Sequence, residues 1–330
     1  MAARTVRIGF VGAGGIAAHH IEILKEIPEA QIVALCDINA ERVREVAKPL
    51  GAEVYTDSKK MLDEVKLDAL YVCVPPFAHG DIEVRAAEKG LHIFVEKPVN
   101  LFMDKAQLAL AAIKKAGVFT QVGYSLRYLA SAVQLKRFLE DKPVGTAHIF
   151  RWGGVPGVPW WRRMDQSGGQ LVEMTTHQVD LLRWVMGEIT AVSASYSTNR
   201  ILKDEPNLTI PDSQCVLLTF ASGAVATVNT SCGAGKSGLG MVEFVIKDAK
   251  VSWKHDGLSV SPEEAYKLPA GPRDLPNIDS AFIRAIVSGN ASLIRAPYED
   301  SIKSAAVTIA ANLSAAEGGR VVKLSELLPG

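Results

Sequence analysis

The chain has 330 residues, enough for two ordinary domains, and 48% of them are apolar against 22% charged, the profile of a globular protein. Its 36 basic residues balance 36 acidic ones, which leaves no global electrostatic reason to bind nucleic acid or an anionic membrane. No stretch approaches the roughly twenty apolar residues of a membrane span, the N-terminal apolar run is too short for a secretory core, and Cys36, Cys73, Cys215 and Cys232 lack metal-ligand spacing. A cytoplasmic protein with reduced thiols and no metal is therefore expected.

The first 124 residues alternate short apolar runs with helical patterns. Residues 6–12 (VRIGFVG) predict a buried strand, followed by a helix whose Ile16, Ile21, Leu24 and Ile27 keep helical spacing up to Pro28. Residues 31–37 (QIVALCD) predict a second strand, after which Asn39 caps a helix bearing Val43, Val46, Ala47 and Leu50. Residues 68–74 and 91–96 read as two more apolar strands, with a helix from about His79 to Lys89, closed by Gly90, between them. A helix over about 103–116 stops at Gly117, and 118–124 forms the next strand. Strands apolar on both faces and separated by helices describe a doubly wound parallel sheet, an α/β domain of Rossmann type over residues 1–124.

The pattern then changes. After a helix around 128–140, residues 145–154, 191–200, 212–220, 223–232 and 240–255 alternate apolar and polar positions, as half-buried antiparallel strands do. A helix over about 169–186 interrupts them, and two helices near 278–288 and 299–317 close the chain. Residues 125–330 are thus expected to form one α+β domain on an open, mainly antiparallel sheet.

Three stretches carry chemistry. Residues 9–20 (GFVGAGGIAAHH) space Gly12-x-Gly14-x-x-Ala17 directly after the first strand, with Gly15 and Ile16 opening the helix. Glycines there let the backbone approach a pyrophosphate, which rests on the positive end of the helix. Asp37, twenty residues beyond Ala17, ends the second strand where a carboxylate can accept bonds from the adenosine ribose hydroxyls. A glycine-rich turn alone is a weak signal, but strand, helix and acid together point to a dinucleotide. Asp37 repels a 2′-phosphate and Ile38 offers no charge to offset it, so NAD is expected rather than NADP. In residues 94–100 (FVEKPVN) an apolar strand runs into Glu96, Lys97 and Pro98. Residues 167–184 predict a helix on which Glu173 and His177 are i,i+4 neighbours and Asp180 follows three residues later, all on one side. Two readings fit this last stretch equally. One is a helix with a surface ion pair; the other is a histidine beside a carboxylate, able to take a proton from a substrate hydroxyl. A metal site lacks a third ligand at suitable spacing.

With these motifs in view, the chain resembles the Gfo/Idh/MocA oxidoreductase family, named for glucose-fructose oxidoreductase and inositol dehydrogenase. The resemblance runs over nearly the whole chain: the Gly12–Ala17 loop, VPPFAH at 74–79, EKP at 96–98, VGY at 122–124, the glycine-led helix reaching His177, and SAAEGGRVVKL at 314–324. It implies an NAD(P)-dependent dehydrogenase acting on a secondary alcohol of a sugar, sugar derivative or cyclitol. Lys97 is then the electrostatic partner of the substrate oxygen beside the nicotinamide, His177 the acid/base, and Glu96 the group that orients the turn or neutralises Lys97. Pro75 and His79 fall at the cofactor. Physics agrees on Lys97, because ligands bind at the carboxyl ends of strands in such sheets and a cation there stabilises an alkoxide as hydride leaves. The chain departs from the family pattern in two places. Glu173 stands for the usual aspartate, and Gln170 for a third glycine, which implies a subgroup with a different sugar geometry.

Tyr124 and Arg127 leave the last strand towards the expected cleft. Trp160, Trp161, Arg162 and Arg163 sit in a glycine- and proline-rich loop, which fits either a sugar-stacking surface or a loop pinned by buried tryptophans. His19 and His20 are read as structural or near the cofactor. The resemblance also implies a homodimer or homotetramer through the open sheet. Two other functions remain open: a dinucleotide-binding sensor without turnover, and a sugar lyase or glycosidase-like enzyme that keeps its NAD.

Overall fold

The computed structural model describes residues 5–328; the first four residues of the N-terminal stretch weighed above as a secretory core lie outside it. Contacts gather the chain into two units. One takes the residues up to Tyr124 together with Pro276–Ser301; the other takes Ser125–Leu275 and the residues from Ile302 on.

In the first unit, strand β1 (Val6–Val11) leads through helix α1 (Gly15–Lys25) to β2 (Ala30–Cys36), α2 (Ala40–Ala47), β3 (Glu53–Tyr55), α3 (Ser58–Glu64) and β4 (Ala69–Val72). Helix α4 (Ile82–Glu88), β5 (His92–Val95), α5 (Met103–Ala116) and β6 (Thr120–Val122) follow. The six strands pair in the order β3-β2-β1-β4-β5-β6, all parallel. The order reverses between β1 and β4, the switch point beside which such sheets bind ligands. Every residue of β4 is buried, as a strand covered on both faces must be. Two elements escape the sequence pattern. β3 is three residues long and mostly exposed at the sheet edge, so it shows no buried periodicity, and α3 follows it. The helix expected from His79 begins at Ile82, because Gly80 adopts φ +57° after a 3₁₀ turn at Pro76–Ala78.

Helix α6 (Ala130–Leu139) opens the second unit. Strand β7 (Thr146–Trp152), helix α7 (Met164–Ser167) and helix α8 (Thr176–Met186) come next. The sheet is completed by β8 (Ile189–Ser197), β9 (Ser213–Phe220), β10 (Val225–Ser231), β11 (Leu239–Ile246), β12 (Ala249–Lys254) and β13 (Gly257–Ser261). Helix α9 (Ile278–Ser288), helix α10 (Tyr298–Ala316) and strand β14 (Val322–Lys323) end the chain. The second sheet has eight strands in the order β13-β12-β11-β7-β10-β9-β8-β14, antiparallel throughout except for the parallel pair β7 and β10. Along β9, Gln214, Val216, Leu218 and Phe220 are buried while Cys215 and Leu217 are exposed, the period of two that a one-sided sheet requires.

The expected second domain over 125–330 differs from the structure in one segment. Helix α9 belongs to the first unit, where it packs against α1 and β1. Its Phe282 meets Tyr71 and Phe94 edge-on, with ring centroids 5.9 and 5.8 Å away. Burying such a ring is worth about 1.5–3 kcal/mol. Helical periodicity announces an apolar face but not the sheet it covers. The helix expected over 169–186 is present, with a π-helical turn over Leu171–Thr175 leading into α8, and the short α7 before it ends at Gly168, at φ +72°. Among the described residues no helix is long and apolar enough to cross a membrane.

Candidate active site

The glycine loop is shaped by its neighbours in the sheet. Gly12 donates its N–H to Cys36 O at 2.8 Å. It also takes φ +97°, and a Cβ there would lie 2.2 Å from Cys73 O, so the loop crosses β4 only as glycine. Gly14 and Gly15 are different, since a Cβ at either would meet no atom within 4 Å. Packing does not demand them; they keep a cradle clear in front of the N-terminus of α1. That terminus carries no acidic side chain in its first turn, so its unpaired N–H groups are left for an anion. Ile16 is 43% exposed there, and Ile38 is almost wholly exposed at the end of β2. Between them Asp37 is held in place: Ala13 N–H donates to its Oδ2 and Asn39 N–H to its Oδ1, each at 2.8 Å. A glycine cradle, a helix start and a fixed carboxylate fit the pyrophosphate and ribose of a dinucleotide.

At the carboxyl ends of β4 and β5 lies a second group of residues of the same unit. Pro75 precedes the 3₁₀ turn, and the buried His79 hydrogen-bonds the buried Glu83 one helical turn on. Lys97 follows β5, and its bond to Pro98 is cis. The backbone N–H of Lys97 donates to Glu96 Oε2 at 3.1 Å. Glu96 Oε1 in turn lies 3.0 Å from His20 Nε2, and His20 Nδ1 lies 2.8 Å from Asp279 Oδ1. Burial by itself would pull the imidazolium down, but the hydrogen bonds and charges of Asp279 and Glu96 outweigh it and lift the His20 pKa to about 9. Gly123 faces this group: a Cβ there would fall 2.4 Å from Glu96 Oε1. Tyr124, expected at the substrate, is buried.

Sequence reasoning did not connect His20 with Glu96, and Asp279 did not enter it. One signal was present. His20 stands three residues after Ala17 and four before Leu24, on the buried stripe of α1, where a polar side chain needs a partner.

In the second unit, Glu173 lies in the π-helical turn and is 8% exposed, and His177 lies in the first turn of α8. π-Helical turns recur at functional sites. Asp180 has different surroundings. It is wholly buried and accepts hydrogen bonds from Arg127 Nε at 2.8 Å and Nη2 at 2.6 Å, and from Ser304 Oγ at 2.6 Å. Arg127, expected at the substrate, is only 2% exposed and spends its guanidinium on this pair. The loop before α7 is anchored by its tryptophans. Trp161 is buried with Ile210 and Cys232, and Trp160 packs against that cluster. Arg162 donates to Pro206 O and to Glu205 Oε2, both at 2.8 Å. Among the described residues no group of three His, Cys, Asp or Glu side chains is placed to hold a metal ion.

Comparison with known proteins bears on this arrangement. An oxidoreductase-family model with an NAD-binding Rossmann fold matches residues 6–124, and the model of the GFO/IDH/MocA C-terminal domain matches residues 134–248. The chain is 33% identical over 226 residues to Uncharacterized oxidoreductase YrbE of Bacillus subtilis, across 68% of this chain and 66% of that protein. It is 31% identical over 230 residues to Myo-inositol 2-dehydrogenase of Thermotoga maritima, across 68% of each. The match thus spans about two thirds of these relatives. Among solved structures, GenD2 from gentamicin A biosynthesis in complex with NAD superposes with a TM-score of 0.82 at 22% identity, covering 98% of this chain and 97% of that one. Levoglucosan dehydrogenase in complex with NADH and L-sorbose gives 0.81 at 20% identity, covering 97% and 99%. At such identities the two structures share the fold with this chain.

Proposed function

The chain belongs to the GFO/IDH/MocA oxidoreductase family, and from that premise we propose an NAD-dependent dehydrogenase acting on a secondary alcohol of a sugar, sugar derivative or cyclitol. What carries the reading is the place of Lys97. It is a cation at the carboxyl end of β5, in a sheet whose glycine cradle fits a dinucleotide, on a turn whose backbone is tied to Glu96. NAD, when bound, accepts or returns the hydride at its nicotinamide ring. Gly14, Gly15 and the N–H groups at the start of α1 hold its pyrophosphate, and Asp37 holds its ribose. Lys97 stabilises the negative charge that develops on the substrate oxygen. His177 takes the hydroxyl proton, and Glu173 orients His177 or a neighbouring hydroxyl. Relatives named for inositol dehydrogenation support the cyclitol side of the substrate class. The preference for NAD over NADP rests on Asp37 and Ile38.

The reading includes a cytoplasmic homodimer or homotetramer. All four cysteines are free, which suits a reducing compartment. On the sheet of the second unit Trp152, Leu217, Val225 and Val245 are exposed, and the strand register places all four on one face. An apolar face of that kind suits a second copy of the chain.

The test is an NADH-absorbance screen of the purified protein against aldoses, sugar derivatives and cyclitols, run beside Lys97→Met and His177→Ala. Turnover on at least one substrate is expected. Each variant is expected to lose roughly two to four orders of magnitude of kcat while binding NAD as the parent does. Full turnover by either variant overturns its role, and a parent inactive on the whole panel overturns the reading.

A further inference from the structure

We propose that His20 positions Lys97 through Glu96, clamping the Glu96 carboxylate so that its other oxygen holds the Lys97 backbone N–H, with Asp279 anchoring the far side of the ring. This deepens the dehydrogenase reading and rests on it for the role of Lys97. The chain of contacts is continuous within one unit: Asp279 Oδ1 to His20 Nδ1 at 2.8 Å, His20 Nε2 to Glu96 Oε1 at 3.0 Å, and Glu96 Oε2 to Lys97 N at 3.1 Å. His20, Glu96 and Asp279 are 3%, 7% and 0% exposed. Both ring nitrogens of His20 face a carboxylate oxygen, and only a doubly protonated ring donates at both. A neutral ring would set a lone pair against an acid in a dry site.

Charge in the surroundings points the same way. The ionisable groups around His20 are Glu96 after β5, Asp279 on α9, Tyr71 on β4, Cys73 just beyond β4, and His19 beside it on α1. Burial, followed by the charges of Glu96 and Asp279, pushes the Cys73 thiol well above its usual value; burial and Asp279 do the same to the Tyr71 phenol. Both therefore stay neutral, and the imidazolium is the cation that faces Glu96 and Asp279. Its pKa of about 9 follows.

Stability alone does not explain three buried ionisable groups, because well-packed apolar side chains of similar volume are often as stable or more so. Positioning does. Gly123 faces the same carboxylate, where a Cβ would sit 2.4 Å from Oε1. With His20 bonded to Oε1 and the Gly123 backbone against the carboxylate, Glu96 is confined, and so is the start of the turn that carries Lys97.

Two readouts need no substrate. In the full-length protein, ring-nitrogen NMR shifts of His20, assigned by their loss in His20→Gln, are expected to show a charged imidazole at pH 7.5; a neutral ring there overturns the proposal. The Lys97 amine is followed by the pH dependence of its acylation with acetic anhydride, read by peptide mass spectrometry. Removing the His20 charge takes a cation away from Glu96, next to Lys97 in the chain, so His20→Gln is expected to raise the acylation midpoint by about half a pH unit or more. Glu96→Gln is expected to lower it. Unchanged midpoints, or shifts of the same sign, overturn the proposal, and if His20→Gln does not fold, Glu96→Gln decides it alone, an unlowered midpoint overturning the proposal. With an active substrate, His20→Gln is expected to lose about tenfold in kcat, as misplacement of a reacting group does, at unchanged KM for NAD. A panel with no turnover beside intact acylation shifts would fault the dehydrogenase reading alone.

Discussion

Single residues in the first unit are constrained from more than one direction, and that makes their replacement informative. Gly12 must turn at φ +97° and also pass under Cys73 O, whereas a Cβ at Gly14 or Gly15 would meet no protein atom within 4 Å. His20 has a measurable consequence for stability. Its folded pKa, about 9, lies above the ordinary 6.5, so the folded state binds the proton more tightly than the unfolded chain. The resulting stabilisation is fully present below about pH 6.5 and is lost as pH rises through about 9. The parent is therefore expected to lose melting temperature between pH 6.5 and 9.5, and His20→Gln to lose less over the same interval. Thermal unfolding of both proteins across that range checks it, and parallel pH profiles would show that His20 is not the group responsible.

At the scale of elements, α8 combines two kinds of residue that look alike in sequence. Glu173 and His177 lie in the π-helical turn and the turn after it, while Asp180 is fixed to Arg127 and Ser304 within the buried part of the second unit. Arg183 extends the network, donating to Ser304 Oγ at 2.8 Å and to Glu188. The Arg127 pair secures α8 to the turn that precedes α6, and so holds the helix that presents His177. Arg127→Leu leaves Asp180 buried without its cation, which costs about 3–5 kcal/mol. A large fall in unfolding free energy with little change in substrate KM is expected. Glu173→Gln is expected to behave oppositely, keeping the melting temperature and depressing kcat/KM on every substrate. Denaturant titration beside steady-state kinetics separates them; a raised KM at parental stability for Arg127→Leu would return that residue to the substrate.

Over the whole molecule, a parallel six-stranded sheet carries the cofactor cradle and a mixed eight-stranded sheet carries an exposed apolar face. Light scattering at micromolar concentration is expected to give a mass of two or four chains, and Leu217→Glu, on that face, to shift it towards one; a monomeric parent would remove the oligomer from the reading. The doubly wound sheet, the bounds of α5 and α9, the glycine loop with Asp37, and the EKP turn were all legible in the amino-acid sequence, because each is written in neighbouring residues: apolar runs, helical spacing, glycine at a turn. β3 was not, since three exposed edge residues carry no pattern. Nor was the π-helical turn over Leu171–Thr175 inside the helix that carries Glu173, or the short α7 that Gly168 ends before it. Only the tertiary structure decided which sheet α9 covers, that Arg127 belongs to Asp180, and that His20 meets an acid 259 residues away. Local periodicity tells a side chain that it will be buried, but the partner that makes burial of a charge tolerable is chosen when distant segments pack together.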